Sequence, residues 1–225
     1  MKMSRLLVPL LIAAAACEDS ATTVVLGTGS RLRVLHAAGS FTVANVYVDG
    51  VLIDDIGLGA NTGVDVGPGL HTVRVDAGED MEFSRQYQFQ QNRAVTIVLV
   101  DSSGLIRPSV LSDTGAVVPA GKTKLRVAHY AAGAPPVSIW RTQPDYQTPI
   151  RVMFPFRYAD ESPYLQSDPG DWRVMASSEV PETGNPPMPD TLANSGAIGI
   201  PAGQSRTVVL ITGPGGALQL VVLEP

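Results

Sequence analysis

The stretch "LRVLHAAG", residues 32–39, returns as "LRVAHYAAG" at residues 125–133, which is 93 positions later. Further matches follow in the same order, and the last pairs "TIVLVDSSGLIRPSVLSD", which starts at Thr96, with "TVVLITGPGGALQLVVLE", which starts at Thr207. The offset grows to 111, as expected when a second copy carries loop insertions. Solenoid repeats recur about every 20 to 50 residues, which is shorter than the spacing seen here. The sequence therefore predicts two copies of one domain.

Each copy contains short strand-like segments separated by tight turns. The segments are rich in β-branched and aromatic residues, as in "VANVYV" and "AVTIVLV". Asp49-Gly50 supplies the positive φ that a tight hairpin requires, and residues 213–216 (Gly-Pro-Gly-Gly) indicate another turn. No window shows the apolar stripe of a helix. The pattern predicts an all-β fold of two tandem immunoglobulin-like Greek-key β-sandwich domains.

The domain boundary lies near "PAGKTK", where turn residues precede the second copy. We expect the first β-sandwich domain to span residues 31–119 and the second to span residues 120–225. The segment "EVPETGNPPMPDTLANS", residues 179–195, contains four prolines, which fix φ and lack a backbone donor. We expect it to be a Pro-rich insertion without regular structure.

The chain begins with the features of an export signal. Lys2 and Arg5 supply positive charge, residues 6–16 form an apolar run, and Cys17 follows directly. The run is too short for a membrane-spanning helix, which needs about 20 apolar residues. We therefore expect residues 1–16 to be a lipoprotein-type signal peptide.

The small residues before Cys17 resemble the bacterial lipobox, in which the cysteine is acylated and becomes the mature N-terminus. Ala14 stands where lipoboxes usually carry leucine. The resemblance implies a lipid on Cys17 as the contact with the membrane, followed by a tether over residues 17–30. An ordinary secretory cut nearby is the alternative, and it leaves Cys17 in the discarded peptide or as a free thiol.

Charge and cysteine content narrow the function classes. The formal net charge of −5 becomes −7 without Lys2 and Arg5, which argues against nucleic acid as a partner, because Lys and Arg drive that binding. Cys17 is the only cysteine, so no intrachain disulfide can form. An exported chain of this kind depends on its apolar cores for stability.

The motifs "LRVLHAAGSFTVANVYVDGVLI", "VGPGLHTVRV" and "AVTIVLV" resemble the bacterial domain-of-unknown-function family 4397. The second copy keeps "LRVAHYAAGAPPV" and "DPGDWRV" but has "SIWRTQ" in place of the VYVDG hairpin. The resemblance covers residues 31–225 and is stronger in the first half. It implies a β-sandwich fold and a cell-envelope setting, and it implies no catalytic residues.

The histidine in each repeated stretch ends a row of apolar residues. Alternation along the strand places His36 on the same face as Leu32 and Val34, and His129 holds the equivalent position in the second copy. We expect both histidines to be structural, each with its ring packed and a ring nitrogen bonded to a nearby loop carbonyl. Hydrolase activity around either histidine is a weaker alternative.

The sequence offers no metal or cofactor motif. HExxH, CxxC and EF-hand patterns are absent, and His36 and His71 are too few to hold a metal without further ligands. Asp54-Asp55 and Asp65 could hold calcium, although solvated acidic loops are the simpler interpretation. We therefore expect no metal and no cofactor.

Aromatic residues are concentrated in the second copy, which holds eight of the thirteen. We select Trp140, Tyr146 and Tyr164 as candidate ligand-binding residues, because exposed aromatics on loops often anchor sugars or proteins. Trp140 is expected on the face opposite Val137 and Ile139. The alternative is that these rings cap the ends of the sandwich.

These observations lead to a function hypothesis. We expect a non-catalytic, lipid-anchored protein of the bacterial cell envelope that acts in recognition or scaffolding through its loops. Its partners would be an envelope protein or a surface polysaccharide. The alternative is a secreted or periplasmic carbohydrate-binding accessory module. A row of exposed aromatics on one sheet face favours that alternative, and buried aromatics count against it.

Overall fold

The computed structural model describes residues 29–78, 81–102, 105–112, 118–143, 148–178 and 186–223. The predicted signal peptide, Cys17, most of the tether, Tyr146 and the first part of the predicted insertion lie outside the described residues. β-Strands dominate the described part of the chain, and it contains no α-helix. The prediction of an all-β fold is confirmed. None of the described residues lies in a helix long and apolar enough to cross a membrane.

The first domain has two four-stranded sheets, with strand orders β4-β1-β7-β8 and β3-β2-β5-β6. The strands are β1 (Ser30–His36), β2 (Val43–Val48), β3 (Val51–Gly57), β4 (Asn61–Val66), β5 (Gly69–Asp76), β6 (Glu82–Phe89), β7 (Arg93–Ser102) and β8 (Leu105–Ser112). β1 begins at Ser30, the last residue assigned to the tether from the sequence. It pairs in parallel with β7 and antiparallel with β4.

The second domain repeats this strand order with additional edge segments. One sheet has the order β12-β9-β16-β17, and the other has the order β11-β10-β13-β14, with β15 paired to the start of β13. The strands are β9 (Thr123–His129), β10 (Val137–Thr142), β11 (Ile150–Phe156), β12 (Leu165–Ser167), β13 (Gly170–Ser178), β14 (Thr191–Asn194), β15 (Ile198–Ile200), β16 (Ser205–Thr212) and β17 (Leu218–Leu223). The expected turn after β16 is a short 3-10 turn at Pro214–Gly216.

The predicted insertion includes a strand, which corrects the expectation that residues 179–195 have no regular structure. β14 forms at Thr191–Asn194 and pairs with β13 through Ala193 and Ala176. All four prolines of the segment precede residue 190. The residues that follow therefore keep the N–H groups that a β-ladder needs.

Each domain encloses its own apolar core between its two sheets, and the alternating residues of the strands supply it. Leu32, Val34, Val46, Val73, Phe89 and Ile97 are among the fully buried members in the first domain. Leu125, Val127, Ile139, Phe156, Val174 and Leu210 are among those in the second.

The hairpin turn between β2 and β3 has the predicted backbone. Asp49 has φ +50° and Gly50 has φ +84°. The Asp49 carboxylate also reaches strand β5, where it accepts the Thr72 N–H at 2.9 Å and lies 2.6 Å from Nδ1 of His71. The turn is thus fastened to the neighbouring strand by its own aspartate.

A third apolar cluster joins the two domains. It consists of outward-facing residues on β7, β8, β16 and β17, and of residues on or directly after β1 and β9. The first domain contributes Leu35, Ala37, Val98, Val100 and Leu111, and the second contributes Ala128, Tyr130, Val209, Ile211, Val221 and Leu223. The two sheets that carry the repeated histidine stretches therefore pack face to face, and burial of this face links the domains.

Candidate functional site

His36 and His129 occupy equivalent positions at the ends of β1 and β9, and both are fully buried. The backbone of His36 bonds in both directions to a turn, with its N–H donating to the Ala60 carbonyl at 3.0 Å and its carbonyl accepting from Gly59 at 2.8 Å. His129 makes the same pair of bonds with Asp160 and Ala159, at 2.9 and 2.8 Å. Each histidine thus closes the turn that leads into the neighbouring edge strand.

At both imidazole rings, Nδ1 accepts a hydrogen bond from a backbone N–H two residues later. Nδ1 of His36 accepts the N–H of Ala38 at 3.3 Å, and Nδ1 of His129 accepts the N–H of Ala131 at 3.3 Å. Because Nδ1 accepts, the neutral ring carries its proton on Nε2. Among the described residues, neither Nε2 makes a well-aligned hydrogen bond, although the Pro135 carbonyl interacts with the His129 ring. The predicted approach of a loop carbonyl is therefore present at His129, and both rings in addition accept a loop N–H at Nδ1.

Burial lowers the pKa of both histidines. At His36 burial is the cause. At His129 the Pro135 carbonyl and the Asp160 charge raise the pKa, but the lowering by burial is larger. Both rings are therefore favoured in the neutral form, inside a packed domain and away from solvent. This geometry suits packing better than it suits proton transfer to a substrate.

The acidic residues considered for calcium are not brought together. Asp54 accepts the N–H of its neighbour Asp55 at 2.9 Å, whereas Asp65 lies on β4 and pairs with Arg31 at 3.4 Å. His71 is engaged by Asp49. Within the described ranges, no group of three or more His, Cys, Asp or Glu side chains could hold a metal ion.

Trp140 is fully buried, which corrects the expectation of an exposed ligand-binding ring. It lies outside the core that contains Val137 and Ile139, as alternation predicts, but this opposite face is also covered. Its indole Nε1–H donates to Oγ of Ser177 at 2.8 Å, and the Arg151 guanidinium lies 5.9 Å from its ring centroid. A ligand cannot reach the ring without unfolding this part of the sheet.

Tyr164 is half-buried and lies beside the other sheet, so the structure does not bring it together with Trp140. Its ring packs against the guanidinium of Arg126, whose central carbon lies 4.7 Å from the ring centroid. Arg126 is itself buried on β9, where it donates to Oγ1 of Thr207 at 3.3 Å and lies 3.8 Å from Glu161. The arginine therefore holds the tyrosine against the domain.

A second tyrosine borders the same strand and was not selected from the sequence. Tyr158 is 43% exposed, and its ring meets the ring of buried Tyr130 edge to face at 6.2 Å between centroids. Tyr130 receives a hydrogen bond from Ser109 of the first domain at 2.9 Å and donates to Glu161 at 3.2 Å. The support of Tyr158 thus reaches across the contact between the domains.

These groups form a continuous strip beside β9, which we call the tyrosine strip. Its members are Tyr158, Tyr130, Glu161, Arg126 and Tyr164. Burial raises the pKa of Tyr130, and the charge of Glu161 raises it further against the opposing bond from Ser109. Tyr130 therefore keeps its proton and remains the donor to Glu161. In the sequence, this grouping is indicated only by the short distance between Tyr158, Glu161 and Tyr164 along the chain.

The strip presents two tyrosines and a carboxylate that are held by buried partners. Tyr158 and Glu161 are its most exposed members, with Glu161 showing 34% of its side chain, and Tyr164 is half-buried. Burial and the charge of Asp101 in the first domain raise the pKa of Tyr158, so its hydroxyl stays protonated. An aromatic face beside hydrogen-bonding groups is suited to noncovalent recognition.

Comparison with known proteins bears on the family and leaves function open. No curated protein sequence matches the chain. Among solved structures, the Bacillus anthracis TIE protein aligns over 85% of this chain and 34% of its own length, with 9% identity and a TM-score of 0.26. The chain thus spans about a third of that protein, and this similarity carries no argument about fold or function.

The family comparison concerns the first half of the chain. Residues 30–140 match the family described as "Domain of unknown function (DUF4397)". The match includes every strand of the first domain and extends through β9 into β10. The first domain is thus similar to the domains of this family.

Proposed function

We propose that the protein is a non-catalytic, lipid-anchored component of the bacterial cell envelope that recognises a partner through the tyrosine strip. The export-type N-terminus and Cys17 support the anchor. The partner is an envelope protein or a surface polysaccharide, and recognition needs no cofactor. In this proposal the second domain is a diverged copy of the first, and both have immunoglobulin-like Greek-key connectivity.

The observation that carries the recognition function is the support of Tyr158. An exposed ring usually loses side-chain entropy when it binds, and a ring already held in place loses less. Tyr158 is held by Tyr130, which is fixed from both sides by Ser109 and Glu161. The strip is therefore preorganised by residues from both domains.

Buried histidines support the non-catalytic part of the proposal. A general base must come within hydrogen-bonding reach of a substrate proton. His36 and His129 are fully buried, and their Nδ1 atoms are occupied by backbone N–H groups. Hydrolysis at either histidine is therefore the weaker hypothesis.

The carbohydrate-binding alternative loses part of its support. A sugar-binding sheet face usually offers a row of exposed aromatic rings. Trp140 is fully buried and Trp172 is 9% exposed, so the two tryptophans do not supply such a row. A polysaccharide remains one of the two partner classes for the strip.

The anchor is tested by the intact mass of the native protein from the membrane fraction, compared with Cys17→Ser. We expect a mature chain that starts at Cys17 and carries added acyl mass, which the substitution removes. An unacylated chain with another N-terminus would contradict the anchor and would favour the secreted module.

The strip is tested separately by site-specific photocrosslinking in intact cells. A photoreactive aromatic residue at position 158 should give a discrete adduct with an envelope protein or with polysaccharide. Position 47 is the control, because Tyr47 lies on β2 outside the strip and is half-buried, with the Arg74 guanidinium 3.6 Å from its ring centroid. Equal adducts at both positions would argue against recognition at the strip, whether or not Cys17 is acylated.

A further inference from the structure

The contact between the domains uses the same face of both. Register defines the equivalent positions, because Leu35 pairs with Val98 in the parallel β1–β7 ladder as Ala128 pairs with Val209 in the β9–β16 ladder. These four residues all belong to the shared cluster. Strand β8 adds Leu111. Its counterpart on β17 is Leu223, because these leucines pair with the equivalent threonines of β7 and β16, and Leu223 is buried in the same cluster. Such a contact resembles an isologous interface, in which one surface meets its own equivalent.

Side-chain size differs at equivalent positions in a compensating way. The first domain has a large residue at Leu35 where the second has Ala128, and a small residue at Ala37 where the second has Tyr130. Ser109 of the first domain then meets the Tyr130 hydroxyl at 2.9 Å. A face with two copies of Tyr130 would be overfilled, and a face with two copies of Ala37 would leave a gap. The first domain therefore fits the second better than it fits another first domain.

Close packing at a turn reinforces this preference. Gly59 lies so near the second domain that an added Cβ would approach Oε1 of Gln219 to 3.3 Å and Cδ1 of Ile211 to 3.7 Å. The equivalent turn of the second domain has Ala159 in place of Gly59. A second domain in the position of the first would bring an extra methyl group to this contact.

From these matched faces we propose that the outer face of β1, β7 and β8 also pairs with the corresponding face of the second domain of a second copy of this chain. A dimer then forms by reciprocal exchange, with the first domain of each chain paired to the second domain of the other. Exchange recreates every contact of the closed chain, so its enthalpic cost is small. The inference rests on the domain contact and is independent of the proposed function.

The experiment uses the mature chain with Cys17→Ser, unfolded in urea and refolded at low and at high protein concentration. Light scattering after size-exclusion chromatography then measures the dimer fraction. We expect monomers at low concentration and an additional dimer at high concentration. Chains labelled with donor and acceptor dyes and refolded together should show energy transfer in the dimer fraction alone.

Leu35→Asp is the decisive variant, because Leu35 belongs to the domain contact and not to the first domain's own core. Burial of an unpaired carboxylate is unfavourable and should lower the equilibrium constant for pairing by more than tenfold, so the dimer should disappear. Leu52→Asp is the matched control, since Leu52 is 54% exposed on β3. That variant should dimerise as the parent does.

Each outcome decides the proposal. A dimer that Leu35→Asp abolishes and Leu52→Asp preserves supports domain exchange. A chain that stays monomeric at every concentration overturns it, as does a dimer that survives Leu35→Asp. If Leu35→Asp does not fold, Ser109→Arg replaces it, because Ser109 is half-buried beside Tyr130 and lies outside the first domain's core.

Discussion

Ser109 on β8 donates its hydroxyl proton to the hydroxyl of Tyr130, the residue directly after β9, 2.9 Å away, and this bond crosses the contact between the two domains. Tyr130 passes the interaction on by donating to Glu161 at 3.2 Å. The first domain thereby helps to position a side chain of the second. A chain of hydrogen bonds in a partly buried contact is stronger than the same groups in water.

Removing the Tyr130 hydroxyl should weaken this contact. Tyr130→Phe deletes both bonds and keeps the ring beneath Tyr158, so we expect a loss of about 1 kcal/mol in the free energy of unfolding. Urea denaturation measures the change. Tyr158→Phe is the control, because among the described residues the Tyr158 hydroxyl has no hydrogen bond. An equal loss in the control would mean that the Ser109–Tyr130–Glu161 chain contributes nothing specific.

The two buried histidines should make the protein sensitive to mild acid. Their pKa values are lowered from the ordinary 6.5, so the unfolded chain binds more protons below that pH. The contribution of the two histidines to stability is therefore complete above pH 6.5 and is lost as the pH falls from 6.5 to their lowered pKa values. Urea unfolding midpoints at several pH values in this range would measure the slope of stability against pH.

His36→Asn combined with His129→Asn provides the comparison for that slope. Asparagine offers an oxygen near the place of Nδ1 and does not titrate. We expect the double variant to be less stable at neutral pH, because a smaller side chain leaves a cavity. Its stability should nevertheless change less with pH between neutrality and mild acid. An unchanged slope would assign the acid sensitivity to other groups.

Asp49 should contribute to stability at a lower pH. Partial burial alone would raise its pKa, but the bonds from His71 and Thr72 and the charge of His71 outweigh burial and lower the pKa below 3.8. The contribution is therefore present above pH 3.8 and is lost as the pH falls through the lowered value. Asp49→Asn keeps a residue type that tolerates positive φ and removes the charge.

For Asp49→Asn we expect a loss of about 0.5 kcal/mol at neutral pH, at the low end for a charged hydrogen bond because the side chain is partly solvated. The parent and the variant should become equally stable once the parent carboxylate is protonated. Thermal unfolding at neutral and at strongly acidic pH measures both differences. A difference that persists in strong acid would mean that the asparagine is strained in the turn.

The equivalent turns at Gly59 and Ala159 should respond in opposite directions to exchange of glycine and alanine. Both residues have positive φ, +82° and +67°. Gly59→Ala introduces strain and a Cβ at 3.3 Å from Gln219, so a loss of about 1–2 kcal/mol is expected. Ala159→Gly removes strain and should gain about 0.5 kcal/mol. Chemical denaturation of both variants tests the pair, and two changes of the same sign would contradict it.

Trp140 should behave as a structural residue. Trp140→Ala removes a fully buried ring and should cost about 3–5 kcal/mol, whereas Trp140→Phe should cost about 1–2 kcal/mol through the lost bond to Ser177. Denaturation measures the stability, and photocrosslinking from position 158 measures recognition. Trp140→Phe should leave the crosslink unchanged. A lost crosslink in a folded Trp140→Phe protein would return Trp140 to the recognition site.

Alternation predicted which face of a strand each residue occupies, and this succeeded where a face meets its own domain's core. His36 follows Leu32 and Val34 and is buried with them. The same rule placed Trp140 on the opposite face correctly but could not show that this face is covered. A period of two identifies the two faces of a sheet, and it carries no information about what packs on the second face.

The sequence by itself determined the strand pattern, the repeated histidine stretch and the Asp49-Gly50 turn, because these depend on residues close together in the chain. Tertiary structure alone decided that Leu35 and Tyr130 face each other's domains, and that Tyr158 and Tyr164 share a strip with Glu161. Those groupings join residues whose proximity depends on how sheets pack. Packing between sheets follows from side-chain size and burial over the whole face, which no local pattern encodes.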